Sequence, residues 1–143
     1  MTVGVGEISA TAGGSQTLSV MRFIDDKITI RAGQTVEWNN HDPVTPHTIT
    51  FGIESANPGP PSANVSVEPD GALLATISSN GDSVHSGLIV APPQARLGVP
   101  ESPPDPPLVF TRFRVTFTHA GTFPYICALH DDLGMKGMVI VLP

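Results

Sequence analysis

The sequence has 143 residues, with seven lysines and arginines against thirteen aspartates and glutamates, for a formal charge of −6. That length suits a single domain, 1–143, whose core needs no disulfide staples. So few cations exclude a nucleic-acid binder, which needs a basic stripe. Fifteen prolines and fourteen glycines, spaced among Val, Ile, Leu and Phe, point to short strands joined by many turns.

Residues 1–15 are small and polar, and read as a loose lead-in or a weak first strand. They carry no basic segment followed by an apolar run, so no secretory signal is visible. The first firm strand is Thr17 to Ile24, and Lys27 to Arg31 follows the turn at Asp25-Asp26. Thr35 to Asn39 comes next, with Val36 and Trp38 on one face. Asn40 to Pro46 is a loop. His47 to Gly52 is a strand with His47, Ile49 and Phe51 on one side. A proline-rich loop, Asn57–Ala63, leads to a short strand at Val65 and Val67. Ala72 to Ser78 reads equally as a helical turn or a strand, and Val84 to Val90 as a strand.

The stretch 92–107 is a proline-rich excursion. Beyond it Val109 to Thr118 alternates cleanly, with Phe113, Val115 and Phe117 on one face and Arg112 and Arg114 on the other. His119 to Gly121 turns the chain into Phe123 to Cys127. Ala128 to Gly134 is a loop, and Lys136 to Leu142 is the last strand, with Met138, Ile140 and Leu142 alternating. No segment holds a 3.6-residue stripe beyond two turns, and none is apolar enough for a transmembrane helix. The pattern is all-β, a sandwich or barrel.

The single cysteine, Cys127, has no partner for an intrachain disulfide. It opens the sequence C-A-L-H-D-D-L-G-M, which places His130 and Met135 in the same loop, while His47 starts a distant strand. Taken singly, a lone cysteine is a small buried hydrophobe and Met135 fills a core gap. Together, a thiolate, two imidazoles and a thioether form a soft donor set that favours copper, and a His2Cys site with a weak axial Met is an electron-transfer arrangement. Structural zinc wants a second cysteine, and a redox dithiol requires one. Met138 competes with Met135 for the axial role, but its place in the last strand points it to the core. His41, His85 and His119 read as ordinary hydrogen-bonded histidines. A second metal site would need them to converge with Asp42 or Asp82. His130 lies in the loop and is the donor nearest solvent. Amides of Thr48 and of the Leu129-His130 turn are candidates to face the Cys127 sulfur.

Two blocks, AGQTVEWNN followed by PHTITF, and HAGTFPYICALHDDLGMKGMVIV, resemble the cupredoxins, the plastocyanin- and amicyanin-like small blue copper proteins. The resemblance implies a Greek-key β-sandwich of roughly seven or eight strands, here with a proline-rich insertion before the last three. It implies one copper ion per chain, cycling Cu(II)/Cu(I) on His47, Cys127, His130 and Met135, and an electron carrier, not an enzyme. It further implies redox protein partners docking near His130, through an apolar rim of Pro46, Pro124, Leu129, Leu133 and Met135. Asp131 and Asp132 would steer a partner with a basic face, the protein being a monomer or weak oligomer in the periplasm or outside the cell. Where the family often has Asn after the upstream histidine, this chain has Thr48, whose shorter hydroxyl must serve to tie the two ligand loops. A copper-handling protein, or a subunit or fragment of a copper oxidase or nitrite reductase, are the rival functions.

Overall fold

The computed structural model describes residues 2–10, 17–42, 45–92 and 110–143. Among them are eleven strands: β1 (Thr2–Ala10), β2 (Thr17–Ile24), β3 (Lys27–Arg31), β4 (Thr35–Asn40), β5 (Thr50–Phe51), β6 (Ser66–Val67), β7 (Leu73–Ile77), β8 (Val84–His85), β9 (Arg112–Phe117), β10 (Gly121–Ile126) and β11 (Lys136–Leu142). One sheet has the order β2-β1-β4-β9-β7-β6, the other β3-β11-β10-β5-β8. Both are mixed: β1–β4, β7–β9 and β3–β11 are parallel, the remaining pairs antiparallel.

Period-two alternation builds the core directly. In the antiparallel register of β4 and β9, Val36 lies opposite Val115 and Trp38 opposite Phe113, and all four are buried. The second sheet answers with Phe51, Phe123, Tyr125, Val139 and Val141, in one cluster with the first sheet's side chains. Trp38 meets Tyr125 edge-on at 5.3 Å and Phe51 at 5.8 Å between centroids, and Phe117 meets Phe51 at 5.7 Å. Burying each such ring contributes about 1.5–3 kcal/mol. On the outer face of β9, Arg114 reaches Glu37 (2.6 Å) and Asp70 (2.7 Å), and Arg112 reaches Asp70 (3.1 Å). The Arg114 hydrogen bond holds the Asp70 carboxyl down to about 2. The Asp70 contacts are exposed, so water screens them.

Some alternatives are decided and some expectations need correction. Of the two readings of residues 1–15, the strand is the one found: β1 is paired on both sides by β2 and β4. Its Thr, Gly and Ser residues lack hydrophobic contrast, and long-range pairing supplies what periodicity cannot show. Among the described residues eleven strands are found, more than the seven or eight expected, because short segments such as β6 and β8 pair separately. Of the two readings open for Ala72–Ser78, the strand is the one found, and Leu73–Ile77 runs parallel to β9. The strand sought over Val84–Val90 stops at His85, and Gly87 there takes a left-handed φ of 67°. In β11 the buried residues are Val139 and Val141, whereas Met138, Ile140 and Leu142 face outward to differing degrees. A run apolar at every position from Met138 to Leu142 gives no contrast from which to read the faces. Met138 therefore does not point into the core. Pro92 is exposed, and 93–107, most of the proline-rich insertion, lies outside the described residues.

The pairing of β10 with β11 sets Tyr125 opposite Gly137. The Tyr125 ring occupies the space that a Cβ at 137 would take. Gly137→Ala should therefore destabilise the protein by about 1–3 kcal/mol through overpacking, read as a lower denaturant midpoint at unchanged slope. Wild-type stability in that variant would refute the contact.

Candidate metal centre

Two segments meet at the end of the sandwich where β10 gives way to the Ala128–Gly134 loop. His47 is fixed outside any strand by an antiparallel bridge to Ile89, with its N–H donating to the Ile89 carbonyl (2.9 Å) and its carbonyl accepting the Ile89 N–H in return (2.8 Å). The His47–Gly52 strand expected from sequence is thus reduced to Thr50–Phe51, with His47 held by the bridge. Cys127 follows β10 directly and is fully buried. Its loop closes on itself. The His130 N–H donates to the Cys127 carbonyl (3.0 Å), the Met135 N–H to the His130 carbonyl (3.2 Å), and the Cys127 N–H to the Met135 carbonyl (3.0 Å). A 3-10 turn, Asp131–Leu133, ends at Gly134 with φ 83°, a left-handed cap that glycine takes without strain.

Thr48 joins the two segments twice. Its N–H points at Cys127 Sγ (3.3 Å), and its Oγ1 accepts the Ala128 N–H (2.8 Å). The threonine hydroxyl is long enough to make the inter-loop tie. The sulfur faces His130 Nδ1 at 3.4 Å and His47 Nδ1 at 3.7 Å. All three donor atoms lie within 4.8 Å of one another. Metal–imidazole bonds of about 2.0–2.1 Å and metal–thiolate bonds of about 2.3 Å, at trigonal to tetrahedral angles, set N and S roughly 3.6–3.8 Å apart. The chain thus presents two nitrogens and a sulfur at the spacing that one first-row ion requires.

Burial orders the donors as the sequence implied: Cys127 and His47 are enclosed, and His130 is half-buried. Desolvation pushes the Cys127 thiol above its ordinary range, opposed by hydrogen bonds from the Thr48, Leu129 and His130 amides. Those are the amides expected from the sequence. Burial likewise lowers the His47 pKa, against the pull of Asp42, which favours the neutral ring that can ligate. Met135 is wholly buried, not part of an exposed rim, whereas Leu133 is 56% exposed, Pro124 exposed, and Pro46 and Leu129 half-buried. Its loop returns toward Cys127 before β11 begins, which takes the side chain inward.

The other histidines do not gather into a second metal cluster among the described residues. His85 is buried between the Thr50 hydroxyl (2.8 Å) and the Pro58 carbonyl (3.0 Å), and His41 and His119 are exposed. Asp82 caps the Ser78–Ser79 turn. Asp42, in contrast, lies on His47, with its Oδ2 3.1 Å from Nε2 and both side chains fully buried. Sequence reasoning considered Asp42 only for a second site. Its spacing from His47, five residues through a loop with two prolines, gave no signal of contact.

No family model matches the chain. A plastocyanin from Scenedesmus fuscus is 27% identical over 119 residues, 83% of this chain and 85% of that protein. Among solved structures, oxidised plastocyanin from Dryopteris crassirhizoma aligns with 99% of this chain and 100% of its own, at 21% identity and a TM-score of 0.52. The reduced Cu(I) form of an amicyanin mutant aligns over 99% of this chain and 81% of its own, at 16% identity and a TM-score of 0.53. The chain thus shares its fold with plastocyanin and amicyanin, and is similar in sequence to a plastocyanin over most of its length.

Two outcomes test this geometry. Thr48→Val removes the acceptor for the Ala128 N–H and should cost about 1–2 kcal/mol, with Thr48→Ser restoring it. Equal melting of all three proteins would refute the tie. The second concerns the metal-free protein. Its folded state holds the Cys127 proton more tightly than the unfolded chain, so this contribution to stability is complete below the ordinary thiol pKa. It is lost as pH rises through the folded value. Metal-free wild type should therefore lose stability above the ordinary thiol range relative to Cys127→Ala, in denaturant melts across alkaline pH. Parallel pH profiles would contradict the burial argument.

Proposed function

We propose that the protein is a single-domain electron carrier, not an enzyme, built around one copper ion held by His47, Cys127, His130 and Met135. The observation that carries this reading is the Cys127 sulfur facing two imidazole Nδ1 atoms in a buried, hydrogen-bonded site. A bound copper would supply one-electron chemistry between Cu(II) and Cu(I). The chain supplies donors that are already in place. Thr48, the Ile89 bridge and the closed 127–135 loop hold them with few soft degrees of freedom. A site that keeps its shape as the charge changes suits electron exchange. The same fixity argues against a copper-handling role, which needs an open, exchangeable site. The Met135 thioether is the fourth ligand in this reading, because its backbone closes the loop at both ends and its side chain is enclosed. That a similar fold is known in a reduced Cu(I) form supports the choice of metal.

Electrons enter and leave at the His130 edge, the one partly exposed donor. Leu129 and Leu133 flank it with apolar surface, and Asp131 and Asp132 add negative charge in the adjoining 3-10 turn. A partner with a basic face fits this surface, in a small and salt-sensitive encounter. The cupredoxin likeness supports a location outside the cytoplasm. Among the described residues no helix is long and apolar enough to cross a membrane.

Adding one equivalent of Cu(II) to the purified protein should give an intense visible thiolate-to-copper band, lost in Cys127→Ser. A redox titration should bleach and restore it reversibly. A colourless protein, or a band indifferent to Cys127→Ser, would overturn the assignment.

A further inference from the structure

The Asp42 carboxyl group is fully buried against the outer nitrogen of a candidate ligand. Asn40 and Thr45 build its position. The Asp42 N–H donates to Asn40 Oδ1 (2.7 Å), and the Thr45 N–H donates to Asp42 Oδ1 (2.9 Å). Asn40 itself is anchored by donating to the Thr45 carbonyl (3.0 Å) and to the Ile89 carbonyl (2.8 Å), the same carbonyl that holds the His47 N–H. One carboxylate oxygen is thereby committed to the loop backbone, and the other faces His47 Nε2 at 3.1 Å.

We infer that Asp42 is the positioning residue of His47: it keeps the proton on Nε2, presents the Nδ1 lone pair to the metal position, and biases the copper toward its oxidised state. A carboxylate oxygen accepts only, so the facing nitrogen must carry the proton, and Nδ1, on the side of Cys127 Sγ, is left free to ligate. The redox bias follows from charge, and it rests on the copper reading above. The charges of Cu(II), the Cys127 thiolate and the Asp42 carboxylate, taken by themselves, sum to zero. One electron supplied by a redox partner takes the sum to −1, with no proton moved. An uncompensated buried charge is disfavoured in a low-dielectric interior. The carboxylate thus favours the cupric form, and lowers the potential relative to a site with a neutral residue at 42.

The test has two arms. In metal-free protein, ¹⁵N NMR of the imidazoles should show His47 neutral and protonated at Nε2. Protonation at Nδ1 would overturn the positioning role. In copper-loaded protein, Asp42→Asn keeps the shape but removes the charge, and its single oxygen can serve only one of the two donors. At a fixed mediator poise the variant should shift the Cu(II)/Cu(I) ratio toward Cu(I) by about tenfold, or about 59 mV for one electron. A ratio within about twofold of wild type, with the visible band retained, would show that the carboxylate is structural only and would overturn the bias. Wild-type protein that forms no thiolate-to-copper band would overturn the carrier reading and the bias with it. The NMR arm would still decide whether Asp42 sets the tautomer.

Discussion

Thr48 is the point on which the site depends. One residue gives its N–H to the Cys127 sulfur and takes the Ala128 N–H on its hydroxyl, so the strand-start segment and the last loop are clamped across the sulfur itself. Neither segment is regular structure at that point. Without the clamp, the donor spacing would be set by two loops moving independently. With it, the spacing is inherited from the sandwich, because His47 is bridged to Ile89 and Cys127 is the direct continuation of β10.

The physical cost of the arrangement is desolvation. A buried thiol resists ionisation, and a buried imidazole resists protonation. The protein answers each with oriented dipoles or charge: amides around the sulfur, and the Asp42 carboxylate behind His47. A bound metal cation would complete the compensation, since it would take the place of the thiol proton and needs the imidazole neutral. The interior behind the site is a stack of rings, Trp38, Phe51, Tyr125 and Phe117, shared between the sheets. A close-packed interior of that kind yields little when a charge changes at its edge.

Much of this was legible in the sequence, for identifiable reasons. The C-x2-H-x4-M spacing brought three chemically unusual side chains into one loop, and clean alternation placed Trp38, Phe113, Val115 and Phe117 in the core. What failed to show was whatever depends on long-range partners or lacks contrast. The strand Thr2–Ala10 is made of small residues whose pairing is decided by β2 and β4. The faces of Lys136–Leu142 were reversed because both sides are apolar. Asp42 is set against His47 by Asn40, which holds both Asp42 and Thr45, and local spacing carries no trace of that.

The central claim is that His47, Cys127 and His130 hold one copper in a site that barely changes with oxidation state. Copper-edge X-ray absorption on the protein loaded with one equivalent, recorded oxidised and then reduced, tests it most directly. One short sulfur and two imidazole nitrogens should surround copper in both states, with little change in distance between them. A copper environment without sulfur, or one that loses an imidazole or rearranges on reduction, would contradict it.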